Sequence, residues 1–225
     1  LATLSTALTA AVPAAAQNTP PAVDTATFHA CLAGLRNTPA FATISNSTWQ
    51  QYASNLTPDP TVLPLLNKQP EFSLPVWDYM AMLVDKERVA DGRAAYQQWQ
   101  PTLRQIQQRY QVDPAVIVGV WGVESNFGKI KGGRSLLQSL GTLSCYGRRQ
   151  SYFRGEFAST LRILQEGSIA ADKLTGSWAA AFGQTQFMPS TFLRIAVDFD
   201  GDGRRDLVDS VPDALASTAN FLRRS

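Results

Sequence analysis

The residue that most clearly suggests chemistry is Glu124, an acidic side chain at the end of an apolar segment. Asp113 and Pro114 are typical of the start of a helix, and the residues after them read AVIVGVWGVE. The negative end of the helix dipole and the apolar neighbours both disfavour a charged carboxylate there, so they raise its pKa. A carboxylic acid that stays protonated near neutral pH is what a general acid requires. The alternative is a structural Glu paired with a nearby Arg.

The surroundings of Glu124 in the sequence lack a second acidic partner. Glycosidases usually use a second carboxylate as nucleophile or base. Glu156 and Asp172 are the candidates further along the chain, and both lie in segments whose pattern is typical of solvated helix. This pattern favours a reaction in which the substrate supplies its own nucleophile. The helix before Glu124 is apolar on nearly all sides, so we expect it to be buried, with Gly128 as its stop.

A second chemical motif is the acidic loop, residues 198–209, which reads DFDGDGRRDLVD. The spacing fits the loop of an EF-hand, with Gly203 at the sharp turn. The predicted ligands are Asp198, Asp200, Asp202, Arg204 through its carbonyl, Asp206 and Asp209. These hard oxygens predict a structural Ca²⁺ site. Because the side chain of Asp209 is shorter than that of the usual Glu, we expect weaker binding of Ca²⁺. The alternative is an acidic turn without metal. We expect no organic cofactor.

The two cysteines, Cys31 and Cys145, and the single histidine, His29, limit the other possible chemistry. One histidine excludes zinc sites built on several histidines, and two cysteines cannot form a four-thiolate site. In an oxidising compartment the cysteines are expected to form a disulfide. The alternatives are two buried thiols or a Cys145–His29 nucleophile pair.

The elements that would position these residues are predicted to be helices. Apolar residues recur at helical spacing. The clearest stripes are Phe28, Cys31, Leu32 and Leu35; Tyr96, Trp99, Leu103, Ile106 and Tyr110; and Phe153, Phe157, Leu161 and Leu164. Pro101 is expected to start or kink a helix. The sequence therefore predicts a mainly α protein with one helical core.

The two ends of the chain suggest export and a longer protein. Residues 1–16 are uncharged and end in Ala14-Ala15-Ala16, which is typical of the remnant of a secretory signal peptide; the alternative is a disordered leader. Residues 17–25 are expected to form a loose linker. No Cys follows the cleavage point, so no lipid anchor is indicated. The final helix has no stop signal, which favours a truncated copy.

The charge balance excludes several partners. Twenty Lys and Arg against 18 Asp and Glu give a net charge of only +2. No excess of one sign favours nucleic acid or an anionic membrane surface. The longest apolar run, residues 115–123, is too short to span a bilayer.

Four segments carry a family resemblance: GVWGVESNFG, LGTLSCYGRRQSYFRGEF, GSWAAAFGQTQFMPSTF and AVDFDGDGRRDLVDS. In order and spacing they resemble the lytic murein transglycosylase B family, over roughly residues 26–225. The resemblance implies a lysozyme-like helical domain with an EF-hand-like calcium loop. It also implies cleavage of the MurNAc-β-1,4-GlcNAc bond of peptidoglycan, in which the muramoyl 6-hydroxyl closes on C1 and leaves a 1,6-anhydro end.

The same resemblance assigns roles to individual residues. Glu124 would protonate the glycosidic oxygen and then accept the proton of the 6-hydroxyl, while the substrate's acetamido group stabilises the cation. Ser177 would orient that acetamide, Gln186 and Phe187 would line the sugar groove, and the pair Arg148–Arg149 would bind carboxylates of the lactyl group or peptide stem. Their alternatives are a helix cap for Ser177, a core position for Phe187 and a solvated surface for the arginines.

The sequence departs from the family pattern at one motif. Gln184 and Thr185 replace the usual Tyr-Gly pair, so the approach of the backbone near Gln186 is expected to differ. The family also continues beyond the end of this chain and supplies further groove residues there.

Three function classes follow from the sequence: the transglycosylase, a lysozyme-type hydrolase of the same polymer, and a non-catalytic calcium-stabilised wall-binding module. For the first we expect a periplasmic monomer whose partners are peptidoglycan glycan strands.

Overall fold

The computed structural model describes residues 23–67 and 74–225. The predicted signal remnant and most of the predicted linker lie outside the described residues. The linker prediction ends one residue too late, because Thr25 already begins a helix that Asp24 caps.

Helices dominate the described chain, which confirms the prediction of a mainly α protein. The helices are α1 (Thr25–Arg36), α2 (Asn46–Tyr52), α3 (Val76–Leu83), α4 (Lys86–Gln98), α5 (Gln100–Tyr110), α6 (Pro114–Ser125), α7 (Leu136–Cys145), α8 (Gln150–Glu166), α9 (Pro189–Ile195) and α10 (Val211–Arg224). Short 3₁₀ turns cover Pro39–Phe41, Pro60–Val62, Pro64–Asn67 and Ala171–Lys173.

One small antiparallel sheet interrupts the helices. Strand β1 (Arg134–Ser135) pairs with β2 (Thr175–Gly176), and isolated bridges link Gly176 to Phe182 and Phe182 to Phe187. The sheet joins the segment after α6 to the segment before α9, so two of the sequence motifs meet there.

Capping side chains explain where many of the helices begin. A Ser or Asp side chain accepts a hydrogen bond from the first turn of six helices. These caps are Asp24, Ser45, Asp85, Asp113, Ser135 and Ser210. Pro101 stands in the first turn of α5, directly after the break at Trp99. The sequence stripe across this region is therefore carried by two helices.

The buried apolar residues form two clusters, where the sequence predicted one core. The larger cluster surrounds α8 and includes Phe28, Leu140 and Phe157. The smaller cluster joins α5, α6 and α10 through residues such as Ile117 and Leu215. The helix that carries Glu124 belongs to the smaller cluster.

A disulfide joins α1 to the end of α7. The sulfurs of Cys31 and Cys145 are bonded, and their Cα atoms lie 6.0 Å apart. His29 is hydrogen-bonded through Nε2 to the carbonyl of Leu56 at 3.1 Å. The structure thus leaves no free thiol for a Cys145–His29 pair.

No helix within the described residues is long and apolar enough to cross a bilayer.

Candidate active site and acidic loop

Glu124 lies in the last turn of α6 and is open to solvent. More than a third of the residue is exposed, yet the protein atoms around it desolvate the carboxyl group and raise its pKa. The carboxyl group stays in contact with solvent, so its pKa is raised by partial desolvation and not by complete burial. Within residues 23–67 and 74–225, no side-chain hydrogen bond or ion pair engages the carboxylate. The alternative of a Glu paired with an Arg is therefore not what the structure shows.

Helix α6 is buried on one face only, which corrects the expectation of burial all round. Ile117, Val118 and Trp121 are buried in the smaller cluster. Val116 is 50% exposed and Val123 is 41% exposed on the other side. Glu124 therefore sits where an apolar buried face meets solvent.

The end of α6 is shaped by three successive residues with left-handed backbone conformations. Asn126, Phe127 and Gly128 have φ of 50°, 57° and 79°. The helix thus ends at Ser125, before the predicted stop at Gly128. The turn folds the Phe127 ring back onto Gly122, where a Cβ atom would lie 2.6 Å from Phe127 Cζ. A glycine is required at that position for the ring to fit.

Gln184 is hydrogen-bonded to the last turn of α6 through its side chain and its backbone carbonyl. The Trp121 indole Nε1 donates a hydrogen bond to Gln184 Oε1 at 3.0 Å. The Ser125 hydroxyl donates to the Gln184 carbonyl, and it accepts from the Gly128 N–H at 2.8 Å. Sequence reasoning noticed Gln184 only as a departure from the family motif. The departure itself was the signal, since a polar residue in a buried motif needs partners.

Ser177 closes a tight turn beside the small sheet. Its hydroxyl oxygen accepts from the Ala181 N–H at 3.0 Å, and its own N–H donates to the Ala181 carbonyl at 2.8 Å. Gly132, which follows α6, packs directly on the backbone of Ser177. The residue is half-buried, and within the described residues its hydroxyl donates no hydrogen bond.

Gln186 and Phe187 follow Gln184 but differ in their surroundings. Gln186 has a left-handed backbone, and its Nε2 donates to the carbonyls of Lys131 at 3.1 Å and Gly183 at 2.9 Å. Phe187 is 7% exposed, and its ring packs against Phe221 with centroids 5.9 Å apart. The ring thus belongs largely to the core, and the contact of Phe187 with a sugar stays a prediction.

The two predicted arginines are exposed but held by different groups. Arg148 donates to the carbonyl of Leu66. The Arg149 guanidinium stacks over the ring of Tyr152, 4.6 Å from its centroid. Arg148 is thus occupied by the backbone, whereas the edge of the Arg149 guanidinium remains available to an anion.

The acids considered as a second catalytic group lie in contrasting places. Glu156 is 4% exposed, so the expectation of a solvated position is wrong. It accepts the Ser190 N–H at 2.9 Å and the Ser190 hydroxyl at 2.7 Å, and so caps the first turn of α9. Asp172 is exposed in the 3₁₀ turn before β2.

The acidic loop brings three of its predicted ligands together. Carboxylate oxygens of Asp198, Asp200 and Asp202 lie within 4.8 Å of one another. Asp198 also accepts the N–H groups of Gly201 at 2.7 Å and Gly203 at 2.9 Å. Gly203 has φ of 88°, the left-handed conformation that the tight turn needs.

The remaining predicted ligands are held by other groups. Asp206 accepts the N–H groups of Val208 and Asp209 at 2.7 and 2.9 Å. Asp209 forms an exposed ion pair with Lys173 at 3.1 Å. Neither residue joins the cluster of three carboxylates, and Arg204 could contribute only its carbonyl. The donor set fits a hard cation such as Ca²⁺, with three carboxylates already converged.

Asp213 is a loop-organising residue that sequence reasoning missed. This fully buried carboxylate in the first turn of α10 accepts the N–H groups of Phe199 at 2.7 Å, Asp200 at 3.4 Å and Asp206 at 2.8 Å. Burial raises its pKa, although the backbone donors oppose that shift. Its position three residues after the cap Ser210 was the available signal.

An apolar cavity of about 430 Å³ lies between α4 and α6. Its walls include Val89, Tyr96, Gly119, Val123 and Phe127. Glu124 is not one of them, but its neighbour Val123 is. The cavity therefore flanks the candidate catalytic residue without containing it.

Comparison with known proteins identifies a family. Residues 27–225 match the family described as Transglycosylase SLT domain. The chain is 38% identical to the membrane-bound lytic murein transglycosylase B of Escherichia coli K12 over 146 residues, which cover 64% of this chain and 40% of that protein.

Two solved structures show the same arrangement of the chain. SltB3 from Pseudomonas aeruginosa, in complex with NAG-anhNAM-pentapeptide, matches 88% of this chain and 52% of its own with a TM-score of 0.82 and 41% identity. Escherichia coli Slt35 in complex with calcium matches 89% of this chain and 63% of its own with a TM-score of 0.75 and 32% identity. The chain thus spans between 40% and 63% of the length of these relatives.

Proposed function

The chain belongs to the family of transglycosylase SLT domains, and from this we propose that it is a lytic transglycosylase of peptidoglycan. It would cleave the MurNAc-β-1,4-GlcNAc bond and leave a 1,6-anhydro-muramoyl end. The single observation that carries the proposal is the exposed carboxyl group of Glu124, which has a raised pKa and no hydrogen-bond or ion-pair partner within the described residues. One relative, SltB3, has been solved in complex with NAG-anhNAM-pentapeptide and, separately, with NAG-NAM-pentapeptide.

The proposed reaction needs one group that gives and then takes a proton. Glu124 in its acid form protonates the glycosidic oxygen as the bond from C1 breaks. The resulting carboxylate accepts the proton of the muramoyl 6-hydroxyl as that oxygen bonds to C1. The substrate's acetamido group stabilises the positive charge between the two steps, so no second protein carboxylate is required. Glu156 is unsuited to that second role because Ser190 occupies both of its oxygens.

Three further residues are proposed to contact substrate. The Ser177 oxygen accepts from Ala181, which leaves its hydroxyl hydrogen to donate to the acetamide carbonyl. The Gln186 amide nitrogen is held by the turn after α6, so its Oε1 is the atom that would meet a sugar hydroxyl. Arg149, exposed and stacked on Tyr152, would bind a carboxylate of the lactyl group or peptide stem.

Product analysis tests the reaction. Purified sacculi are incubated with the protein, and the released muropeptides are examined by mass spectrometry. We expect muramoyl ends that lack one water relative to reducing ends. Reducing ends alone would identify a lysozyme-type hydrolase, and no release at all would favour the non-catalytic wall-binding module.

We also propose that the acidic loop binds Ca²⁺ in a structural role. The converged carboxylates of Asp198, Asp200 and Asp202 would supply the charge, and the cation would hold α9 and α10 together through the loop. Slt35, whose structure holds calcium, is a relative with the same chain arrangement.

Thermal unfolding tests the cation site. Calcium at about a hundredfold excess over its Kd would stabilise the folded chain by about 2.7 kcal/mol. The melting temperature should therefore rise with calcium relative to chelator, and Asp200→Ala should abolish the rise. Equal melting temperatures with calcium and with chelator would refute the site.

The proposed substrate also sets the compartment. Peptidoglycan glycan strands lie outside the cytoplasmic membrane, so the protein is proposed to act in the periplasm. The disulfide between Cys31 and Cys145 fits an oxidising compartment.

A further inference from the structure

We propose that Gln184 is a positioning residue that couples the acidic loop to Glu124. Its amide and its backbone tie the last turn of α6 to residues 207–208 at the end of the loop. The effect on turnover rests on the proposed function, whereas the coupling itself rests only on the contacts described here.

On the helix side, Gln184 holds two residues that bracket Glu124. Trp121 donates its indole N–H to Gln184 Oε1, and Ser125 donates its hydroxyl to the Gln184 carbonyl. Trp121 precedes Glu124 by three positions and is its neighbour on the helix surface. Ser125 follows Glu124 directly. These two bonds therefore fix the direction of the turn that carries the carboxyl group.

On the loop side, Gln184 holds two consecutive carbonyls. Its N–H donates to the Leu207 carbonyl at 2.7 Å, and its Nε2 donates to the Val208 carbonyl at 3.1 Å. Lys131, in the turn after α6, donates to the same Val208 carbonyl at 2.9 Å. Gly183 lies so close to Leu207 that a Cβ atom would be 2.6 Å from the Leu207 oxygen. The loop end and the segment with Gln184 are thus in tight contact.

A single planar amide makes both side-chain bonds. Gln184 is 7% exposed, so its two ends cannot exchange these partners for water at low cost. The acceptor end faces Trp121 and the donor end faces Val208. A displacement of residues 207–208 would therefore be passed through Gln184 to Trp121 and to the last turn of α6.

The first test compares isosteric substitutions of two hydrogen-bonded glutamines, the buried Gln184 and the exposed Gln165. Gln184→Met removes the amide that joins α6 to the loop. Gln165→Met is the matched control, since Gln165 accepts from Ser45 N–H at 2.7 Å and donates to the Thr43 carbonyl at 3.1 Å in a region remote from α6. Steady-state kinetics on sacculi and melting temperatures are measured for both variants.

We expect Gln184→Met to lower kcat by about tenfold to a hundredfold, with KM changed by much less, because a misplaced catalytic group costs rate rather than binding. Gln165→Met also removes a glutamine amide that bridges two segments, and it should leave kcat within about twofold. Unchanged kcat in Gln184→Met, or an equal loss in Gln165→Met, would overturn the positioning role.

The second test does not depend on turnover. The indole N–H resonance of Trp121 is assigned by its loss in Trp121→Phe and followed by NMR during a calcium titration. It should shift in the wild-type chain and in Gln165→Met, and its shift should be lost or sharply reduced in Gln184→Met. The coupling would be overturned if the wild-type resonance did not shift with calcium. It would also be overturned if the resonance shifted as much in Gln184→Met as in the wild-type chain. If sacculi are not cleaved while the resonance behaves as expected, the proposed function fails and the coupling stands.

Discussion

The end of α6 and the middle of α8 each carry a glutamate, and the two differ in their partners. Glu124 is partly exposed, and within the described residues no hydrogen bond or ion pair engages its carboxylate. Glu156 is almost fully buried, and both of its oxygens accept from Ser190. Burial alone would have selected Glu156 as the unusual acid.

The difference shows that free hydrogen-bonding capacity marks the candidate catalytic group better than burial does. Both oxygens of Glu156 are used to cap α9, so any proton transfer there would break the cap. Proton transfer at Glu124 would break no such hydrogen bond among the residues that the structure describes. Its raised pKa comes from the atoms around it and not from a competing partner.

The largest expected effect separates the two residues by activity. Glu124→Gln removes the exchangeable proton and should lower turnover on purified sacculi by about 10³-fold, within the range for general acid–base catalysis. The variant should stay folded, because it breaks no hydrogen bond or ion pair seen in residues 23–67 and 74–225. Circular dichroism and binding to sacculi serve as controls. Undiminished lysis by this variant would remove Glu124 from the mechanism.

The matched change in α8 should give the opposite pattern. Glu156→Gln leaves one of the two Ser190 donors without a good acceptor, which costs about 1–3 kcal/mol. Melting should shift down by several degrees, while kcat of the folded fraction stays within about twofold. A large loss of kcat in a fully folded Glu156→Gln variant would show that Glu156 takes part in the reaction, and the proposed difference between Glu124 and Glu156 would be wrong.

A smaller effect appears in how stability depends on pH. Because burial raises the pKa of Glu124, the folded chain keeps this proton to higher pH than the unfolded chain does. The contribution to stability is complete below the ordinary Glu pKa of about 4.3 and is lost as pH rises through the folded value. Glu124→Gln should therefore melt slightly higher than wild type at pH 7, with the difference disappearing near pH 4. A wild type that is more stable than the variant at pH 7 would contradict the raised pKa.

The smallest effect tests the same contrast within the acidic loop. Asp209 is paired with Lys173 at the surface, whereas no basic side chain in the described part of the chain pairs with the three clustered carboxylates. If Asp209 also binds calcium, Lys173→Met should release it and tighten binding by about twofold to fivefold, since exposed ion pairs contribute about 0–1 kcal/mol. Calorimetric titration measures the change. An unchanged affinity for calcium would indicate that the calcium site does not include Asp209.

Local features of the sequence predicted much of the fold and of the candidate site. Helix spacing, the cap at Asp113 and the apolar run before Glu124 depend on neighbours in the chain, and so does the clustering of Asp198, Asp200 and Asp202. The features that sequence reasoning missed depend on distant contacts. Gln184 is hydrogen-bonded to Trp121 in α6, about sixty positions earlier in the sequence. Asp213 is hydrogen-bonded to the loop that precedes it.

Misjudged environments have the same origin. The family resemblance implies that Phe187 lines a groove, and the sequence did not show that its ring packs against Phe221 in the core. Glu156 was expected in solvent because its helix carries polar neighbours, but α9 lies over it. Which side of a helix another helix covers is decided by tertiary packing, which spacing alone does not reveal.

The most direct test of the central claim follows the oxygen at the cleaved bond. Sacculi are digested by the wild-type chain in water enriched in ¹⁸O, and the new muramoyl ends are weighed by mass spectrometry. A single Glu124 that shuttles a proton while the 6-hydroxyl attacks C1 predicts anhydro ends that contain no ¹⁸O. New ends that carry ¹⁸O at C1 would show that water is the nucleophile and would contradict the account.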